Sequence, residues 1–150
     1  MKAVVQRVKY ASVTVNGKKI SEIKQGVLLL LGVAEQDSVA DLEWLSKKIA
    51  NLRIFNDENN VMNKSLIAID GEAIVVSQFT LQASTKKGNR PSYIKAAKPE
   101  TAITMYKAFI EQFEKHLGKK VGTGEFGADM KVELLNDGPV TIIIDTENKI

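Results

Sequence analysis

The segment from Val75 to Leu81 begins as an apolar, strand-like run and ends in hydrogen-bonding side chains, those of Ser77, Gln78 and Thr80. A strand end of this kind can present hydroxyls, an amide and backbone N–H groups to a ligand. The simpler interpretation is an ordinary strand end whose polar face meets solvent. The pattern alone favours the simpler interpretation.

A second unusual segment is Asn136–Thr141, in which Pro139 follows Gly138 between two stretches that both have strand composition. Proline in such a run indicates a sheet edge, a turn or a cis peptide bond, because it cannot donate a hydrogen bond to the strand ladder. A plain tight turn is the simplest of these interpretations, and the pattern by itself favours it.

The composition excludes most common catalytic centres. The 150 residues include no cysteine, which removes thiolate metal sites, disulfides and a cysteine nucleophile. His116 is the one histidine, and its place near the end of a predicted helix fits a favourable interaction with the helix dipole. The Walker, dinucleotide-binding and EF-hand patterns are missing, so we expect no cofactor and no metal site.

Positive charge is concentrated between Gln82 and Lys98, a stretch that contains no acidic residue. Its five cations are Lys86, Lys87, Arg90, Lys95 and Lys98. The whole chain carries +3, so the remaining residues sum to −2. The stretch has the composition of a long loop, which either faces phosphate groups or is simply solvated. The charge pattern does not decide between these two.

The first third of the chain predicts three strands. Strand composition covers Lys2–Val15 and Lys18–Ile23, which Asn16–Gly17 joins as a hairpin turn. The apolar run Gly26–Val33 is too short for a helix and is typical of a strand buried on both faces.

Two helices are expected. Ser38 is the predicted cap of the first, whose apolar stripe extends from Val39 to Leu52. Trp44 lies off this stripe and either faces a partner subunit or forms a half-buried edge. Pro99 begins the second helix and Gly118 ends it.

The remaining elements are predicted as strands and turns. Arg53–Phe55 has strand composition, and Asp70–Gly71 is a hairpin signal before the β-rich segment Glu72–Leu81. A turn at the proline separates strand alternation at Met130–Leu134 from a final buried strand, Val140–Asp145. The fold class is therefore α/β with more strand than helix, in a single domain over residues 1–150.

The chain has the composition of an ordinary globular protein, with 44% hydrophobic and 26% charged residues. Its longest apolar run, Val27–Leu31, is far too short to span a bilayer. The first residues, Met1–Arg7, contain no apolar signal core. We therefore expect a soluble, cytoplasmic protein without a membrane partner.

The two unusual segments resemble a known family. Ser77–Leu81 and Asn136–Thr141 are similar to the two signature motifs of the D-aminoacyl-tRNA deacylases. The similarity extends in order and spacing over essentially the full length, through Met1–Arg7, Gly88–Ser92 and Gly124–Ala128. Tyr93 stands where phenylalanine is more usual. Two long motifs at a matching separation make this resemblance specific.

The resemblance implies an enzyme that hydrolyses the ester joining a D-amino acid, or mischarged glycine, to the terminal ribose of tRNA. It also implies a mostly β, barrel-like sheet of mixed strands with two main helices packed on it, and a homodimer with an active site at each subunit interface. Gly138–Pro139 corresponds to a cis dipeptide that reaches into the partner's site, where its carbonyls reject L-amino acids. Arg7 corresponds to the arginine that holds this dipeptide, and it favours the D-aminoacyl branch because a related branch tends to carry glutamine there.

Ser77, Gln78, Phe79 and Thr80 are the catalytic residues that the resemblance implies. The sequence offers no nucleophile–base pair. An aminoacyl ester is already activated, however, so its hydrolysis can be catalysed by positioning the substrate and stabilising the oxyanion. Thr80, with the N–H groups near Phe79 and Thr80, is the candidate anchor of the carbonyl, and Thr80 as a covalent nucleophile is the alternative. The ribose 2′-hydroxyl is expected to orient or activate the attacking water.

Lys86, Lys87 and Arg90 are expected to bind phosphates at the acceptor end of aminoacyl-tRNA, since such contacts position RNA without reading its bases. Two other functions stay open. One is a non-catalytic tRNA-binding module that uses only the basic loop 82–98. The other is a small oligomeric hydrolase or deaminase acting on free metabolites, which leaves that loop without a role. No protein partner besides a second copy is implied.

Overall fold

The computed structural model describes residues 1–150, in eight strands and two α-helices. The strands are β1 (Lys2–Val15), β2 (Lys18–Ile23), β3 (Gly26–Gly32), β4 (Phe55–Asn56), β5 (Met62–Lys64), β6 (Glu72–Ser77), β7 (Gly122–Thr123) and β8 (Met130–Asp145). The helices are α1 (Val39–Ala50) and α2 (Pro99–Leu117), and a short 3₁₀ helix covers Phe79–Gln82. The predicted class, α/β with strands in the majority, is confirmed.

The long strand β1 organises a mixed six-stranded sheet. Its first half pairs with β3 and its second half with β2, while β8 runs antiparallel along its other side. β6 pairs in parallel with β3, and β7 with β6. The Ser21 hydroxyl links β2 to β7, because it donates to the Thr123 carbonyl at 2.5 Å and accepts the Thr123 N–H at 3.0 Å. The sheet is therefore a nearly closed barrel, as the resemblance implied.

Alternate residues of β3 and β6 pack into two different cores. Leu29, Leu31 and Val75 lie in the larger core, beneath α1 and α2. Leu28 and Ile74 point the other way, into the barrel interior. Both faces of these strands are covered, which explains why their sequences are continuously apolar. The prediction that the Gly26–Val33 run is buried on both faces is confirmed.

Both helices begin as predicted. Ser38 caps α1, since its hydroxyl accepts the Asp41 N–H at 3.3 Å and the Asp41 carboxylate accepts the Ser38 N–H at 2.8 Å. This backbone hydrogen bond from Ser38 holds the pKa of Asp41 below its usual value. Pro99 begins α2, and Gly118 ends it in the left-handed region at φ 71°. Neither helix has the length and apolar character needed to cross a membrane.

Three predictions in the middle of the chain are wrong. Arg53 and Ile54 lie outside any strand, and β4 begins only at Phe55, the last residue of the predicted strand. The chain turns at Asp70–Gly71 but forms no hairpin there, because β6 pairs in parallel with β3 after a crossover. β6 also ends at Ser77 instead of reaching Leu81, since the following residues coil into the 3₁₀ helix.

The two predictions around Pro139 are also wrong. β8 passes through this residue as one continuous strand, and its register against β1 shifts on either side of Val8. The irregular pairing tolerates a residue without an N–H donor, so no turn is needed. The stretch after Pro139 is only half buried, because Val140, Ile142 and Ile144 pack against the larger core on one face. Ile143, on the other face, is 70% exposed.

Candidate active site

A cavity of about 280 Å³ lies where β3 and β6 end. The polar residues in its wall are Ser77, Gln78 and Tyr106, and the ring of Phe79 borders the same wall. The apolar lining comes from the ends of β3 and β6, the first turn of α2, the residues before β8 and the start of β8: Leu31, Val33, Val76, Ala102, Phe126, Gly127, Ala128, Met130 and Val132. Three of the four residues implied as catalytic therefore line a single cavity.

Thr80, the fourth of these residues, lies beside the cavity and is bonded to one of its walls. Gln78 Nε2 donates a hydrogen bond to Thr80 Oγ1 at 2.5 Å. Because the Thr80 oxygen already accepts this bond, its own proton remains free to be donated to another oxygen. The 3₁₀ helix begins at Phe79, so the N–H groups of Phe79 and Thr80 have no acceptor within it.

Two contacts with the end of β3 hold this 3₁₀ helix. The Gln78 N–H donates to the Leu31 carbonyl at 2.8 Å, and the buried Gln82 side chain donates to the Gly32 carbonyl at 3.0 Å. A Cβ at Gly32 would lie 2.8 Å from the Gln78 carbonyl oxygen, so this close approach requires glycine. The groups at Thr80 are therefore fixed relative to the sheet.

Tyr106 closes the cavity from the side of α2. Its hydroxyl donates to the Val75 carbonyl at 2.6 Å, and its ring lies 6.0 Å from that of Phe126. Burial raises the pKa of Tyr106 to about 12, so the phenol is neutral near pH 7. Tyr106 therefore shapes the cavity and is not poised to act as a base.

The basic loop is attached to the same site. The rings of Phe79 and Tyr93 meet edge to face at 5.1 Å, and paired backbone hydrogen bonds between Ser84 and Ser92 close the base of the loop. The three cations singled out from the sequence, Lys86, Lys87 and Arg90, lie between those two serines. All three are exposed and none forms an ion pair, so their charge is available to an anion beside the cavity.

Gly138 and Pro139 lie elsewhere in the same chain and do not line this cavity. Their peptide bond is cis, the form that the resemblance implied, and both residues are exposed. Gly138 has a φ of 140°, and a Cβ there would lie 3.1 Å from Arg7 Nη2, which explains why glycine occupies this position.

Arg7 holds this segment from β1. It is 8% exposed, its Nε donates to the Asp137 carbonyl at 2.8 Å, and its Nη1 donates to the Ile54 carbonyl at 2.7 Å. Asn136 holds the segment from within β8, since its Oδ1 accepts the Val140 N–H at 2.8 Å. The contact of Arg7 with this segment agrees with the resemblance, whereas Asn136 adds a support that was not foreseen.

The geometry contains no group of three or more side chains able to hold a metal ion. His116 lies in the last turn of α2, outside the cavity lining, and its Nε2 is buried without a hydrogen-bond partner. The Thr80 hydroxyl and the first N–H groups of the 3₁₀ helix are the donors that the site offers to a carbonyl oxygen.

Comparison with known proteins assigns a family to this site. The family model described as D-Tyr-tRNA(Tyr) deacylase matches residues 4–145. The chain belongs to the D-Tyr-tRNA(Tyr) deacylase family. As a member of this deacylase family the protein is a hydrolase, a D-aminoacyl-tRNA deacylase.

Relatives of this deacylase are similar over nearly the whole chain. It is 64% identical to the D-aminoacyl-tRNA deacylases of Parabacteroides distasonis and Flavobacterium psychrophilum, with 99% of each chain covered. A solved structure named c-Myc DNA Unwinding Element Binding Protein is 45% identical, with a TM-score of 0.91 over 97% of this chain and 98% of that one. A probable eukaryotic D-amino acid tRNA deacylase shares the fold at 16% identity, with a TM-score of 0.82 over 95% and 97%.

Sequence reasoning missed three residues that support the deacylase site, namely Tyr106, Gln82 and Asn136. Tyr106 lies on the buried face of α2, and nothing in the sequence marks its hydroxyl as a contact to β6. Gln82 was counted as the start of the loop, because the 3₁₀ helix was not predicted. Asn136 stood within a motif but had no assigned role.

Proposed function

We propose that this protein hydrolyses the ester between a D-amino acid, or glycine, and the terminal ribose of tRNA, and that it spares L-aminoacyl-tRNA. The observation that carries the proposal is the Gln78–Thr80 hydrogen bond beside a small cavity that lacks any nucleophile–base pair. This arrangement can bind and polarise an activated ester carbonyl, and it offers little to a substrate that needs a strong nucleophile.

Thr80 acts in this proposal as a donor to the substrate carbonyl. The bond from Gln78 orients its oxygen and leaves its proton for the carbonyl oxygen as negative charge develops there. The N–H groups that begin the 3₁₀ helix are further donors at the same place. Thr80 as a covalent nucleophile is disfavoured, because no histidine or carboxylate lines the cavity to accept its proton.

The attacking water needs a group that orients it, and in this proposal the ribose 2′-hydroxyl of the substrate is that group, because no histidine or carboxylate lines the cavity. We expect a D-tyrosyl-tRNA that ends in 2′-deoxyadenosine to be hydrolysed roughly 100-fold more slowly than the normal substrate, because general-base assistance is lost. Single-turnover rates at saturating enzyme measure the effect. Equal rates for the two substrates would exclude assistance by this hydroxyl.

Gly138 and Pro139 form the stereochemical filter in this proposal and act on the partner subunit's site. Both residues are exposed and lie apart from their own chain's cavity, as expected if they enter a partner. Rigid carbonyls facing the substrate α-carbon leave room for hydrogen but collide with an L side chain, so glycine is accepted.

A homodimer is part of the same proposal. Four large apolar residues, namely Tyr10, Phe79, Leu135 and Ile143, are each at least 44% exposed. Tyr10 of β1 and Leu135 of β8 are paired neighbours, and β8 also contains the Gly138 segment. Apolar surface of this kind is typical of a subunit interface.

The basic loop binds phosphates of the acceptor stem in this proposal. We expect the triple variant Lys86→Ala, Lys87→Ala, Arg90→Ala to raise the KM for aminoacyl-tRNA by roughly tenfold or more. The slope of log KM against log salt should fall by about three, one for each phosphate that is no longer neutralised. Kinetics at several salt concentrations measure both values. A triple variant with unchanged KM and unchanged slope would leave the loop as a solvated surface.

Matched D- and L-tyrosyl-tRNA test the function as a whole, with glycyl-tRNA as a third substrate. Rapid loss of the D and glycyl esters with the L ester spared is the expected result. Loss of all three esters would keep the hydrolase and contradict the filter. Binding of tRNA without any hydrolysis is the result that a non-catalytic module predicts, and family membership already argues against it. The free-metabolite hydrolase predicts no tRNA dependence.

A further inference from the structure

A second basic surface lies on the C-terminal half of α1, and we call it the α1 patch. Its shallow depression of about 500 Å³ is lined by Trp44, Lys47, Lys48, Asn51, Leu52 and Arg53. Three of these six residues are cations and none is an acid. None of the three cations forms an ion pair. The surface therefore presents unneutralised positive charge to solvent.

Interaction with the helix dipole accounts for only part of this patch. Lys47 and Lys48 lie in the last turn of α1, where cations are favourable. Arg53 lies beyond the helix, where its Nη2 donates to Asn63 Oδ1 at 2.5 Å. The half-buried ring of Trp44 forms one wall of the depression, with Lys48 Nζ at 5.5 Å and Lys149 Nζ at 4.5 Å from its centre. An aromatic wall beside several cations that form no ion pair is a combination suited to the sugar–phosphate chain of a nucleic acid.

The side chain of Arg7 connects the end of the α1 patch to the Gly138 segment. Arg53 is followed by Ile54, whose carbonyl accepts a hydrogen bond from Arg7 Nη1 at 2.7 Å. Arg7 Nε donates to the carbonyl of Asp137 at 2.8 Å, directly before Gly138. Arg7 therefore ties the backbone directly after Arg53 to the backbone directly before Gly138, and neither the patch nor the dipeptide lines the cavity of its own chain.

We propose that Lys47, Lys48 and Arg53 bind phosphates of the tRNA that is held in the partner subunit's active site. The inference rests on the proposed function, because Gly138–Pro139 can bring the patch to the rim of the partner's site only if the dipeptide enters that site. Each bound tRNA then contacts the basic loop of the subunit that hydrolyses it and the α1 patch of the other subunit.

The variant Lys47→Gln, Lys48→Gln tests the contact with RNA. We expect its KM for D-tyrosyl-tRNA to rise roughly tenfold, with the change falling on KM and not on kcat. The slope of log KM against log salt concentration should fall by about two, one for each lysine removed. D-tyrosyl-adenosine, which lacks the stem phosphates, is the reference substrate for the same variant. The matched control is Lys18→Gln, Lys24→Gln, which removes two exposed, unpaired lysines from β2 and its end and should change neither value.

Trp44 reports on binding directly, because it is the only tryptophan in the chain. Deacylated tRNA should change its fluorescence in the wild type and in the control variant, and only at a higher concentration in Lys47→Gln, Lys48→Gln. A KM and salt slope equal to those of the control would overturn the proposal. A fall in the dimer's mass for this variant would also overturn it, since the patch would then be a subunit contact.

Mixed dimers test whether the patch serves the partner's site. One subunit carries Thr80→Val to inactivate its site, and the other carries Lys47→Gln, Lys48→Gln. The only working active site in this dimer belongs to the subunit with the altered patch. If the patch acts on the partner's site, this working site is served by the intact patch of the Thr80→Val subunit, and KM is normal. Placing all three substitutions in one subunit beside a wild-type subunit should then raise KM.

The opposite pattern in the mixed dimers, with KM raised only in the first, would overturn the inference while leaving the deacylase function intact. Failure of the proposed function looks different, because the wild type would not hydrolyse D-tyrosyl-tRNA at all. A monomeric wild type that is active would overturn both the inference and the filter that acts on the partner.

Discussion

Replacing Thr80 with valine is expected to lower kcat for D-tyrosyl-tRNA by about 100-fold to 1,000-fold, the usual cost of removing one donor to a developing oxyanion. Valine keeps the shape of threonine and removes the hydroxyl that Gln78 orients at 2.5 Å. KM should change little, because the donor acts mainly on the transition state. Single-turnover hydrolysis measures the effect, and thermal unfolding shows whether the variant is folded.

Thr80→Ser is the matched control, since serine keeps the hydroxyl and should retain activity within a few-fold of the wild type. Rapid quenching followed by mass spectrometry separates the two roles of Thr80. A carbonyl anchor forms no covalent intermediate, whereas a nucleophile leaves the aminoacyl group on Thr80. Full activity of a folded Thr80→Val variant would contradict both roles.

Replacing Arg7 with methionine is expected to reduce the preference for D- over L-tyrosyl-tRNA by about 100-fold, since displacement of a positioning group by roughly 1 Å costs this much. The variant keeps the apolar stem of Arg7 and removes its donors to the Asp137 and Ile54 carbonyls. The Ile54 carbonyl then loses its partner in a buried position and the Asp137 carbonyl in a partly buried one, so the Gly138 segment is free to shift. The ratio of kcat/KM for the two esters measures the effect.

Lys9→Met is the control for this experiment. Lys9 Nζ lies 3.7 Å from the Asp137 carboxylate, but its side chain is 59% exposed, so its loss should leave the preference nearly unchanged. Asn136→Ala tests the same segment from the other side, because it removes the acceptor for the Val140 N–H. A folded Arg7→Met variant with the full preference would show that Arg7 is not needed to position the filter.

Local sequence patterns predicted the elements whose stability is decided locally or by one buried face. The strands β1 and β2 around Asn16–Gly17, the Ser38 cap and the Pro99 and Gly118 ends of α2 all lie where predicted. Each of these features depends on the conformational preference of one or two residues, and that preference can be read from the residue types alone. The basic loop was visible for the same reason, since charge can be counted without coordinates.

Predictions failed where distant partners decide the outcome. Asp70–Gly71 has hairpin composition, yet the strand that follows pairs in parallel with β3, which lies far away in the chain. Pro139 has the composition of a turn, yet β1 holds the chain around it as one irregular strand. In both cases pairing along a neighbouring strand outweighs the local preference.

The sequence by itself determined the chemistry open to this protein, because residue types are fixed without a fold. It contains no cysteine, a single histidine and two polar motifs, and the resemblance of these motifs to those of the D-aminoacyl-tRNA deacylases indicated the family. Tertiary structure alone decided which groups meet. It brought the Gln78 amide to the Thr80 hydroxyl, seated the 3₁₀ helix on Gly32 and linked Arg7 to a segment 130 residues away. These contacts depend on strand pairing between distant parts of the chain, and no local pattern encodes such pairing.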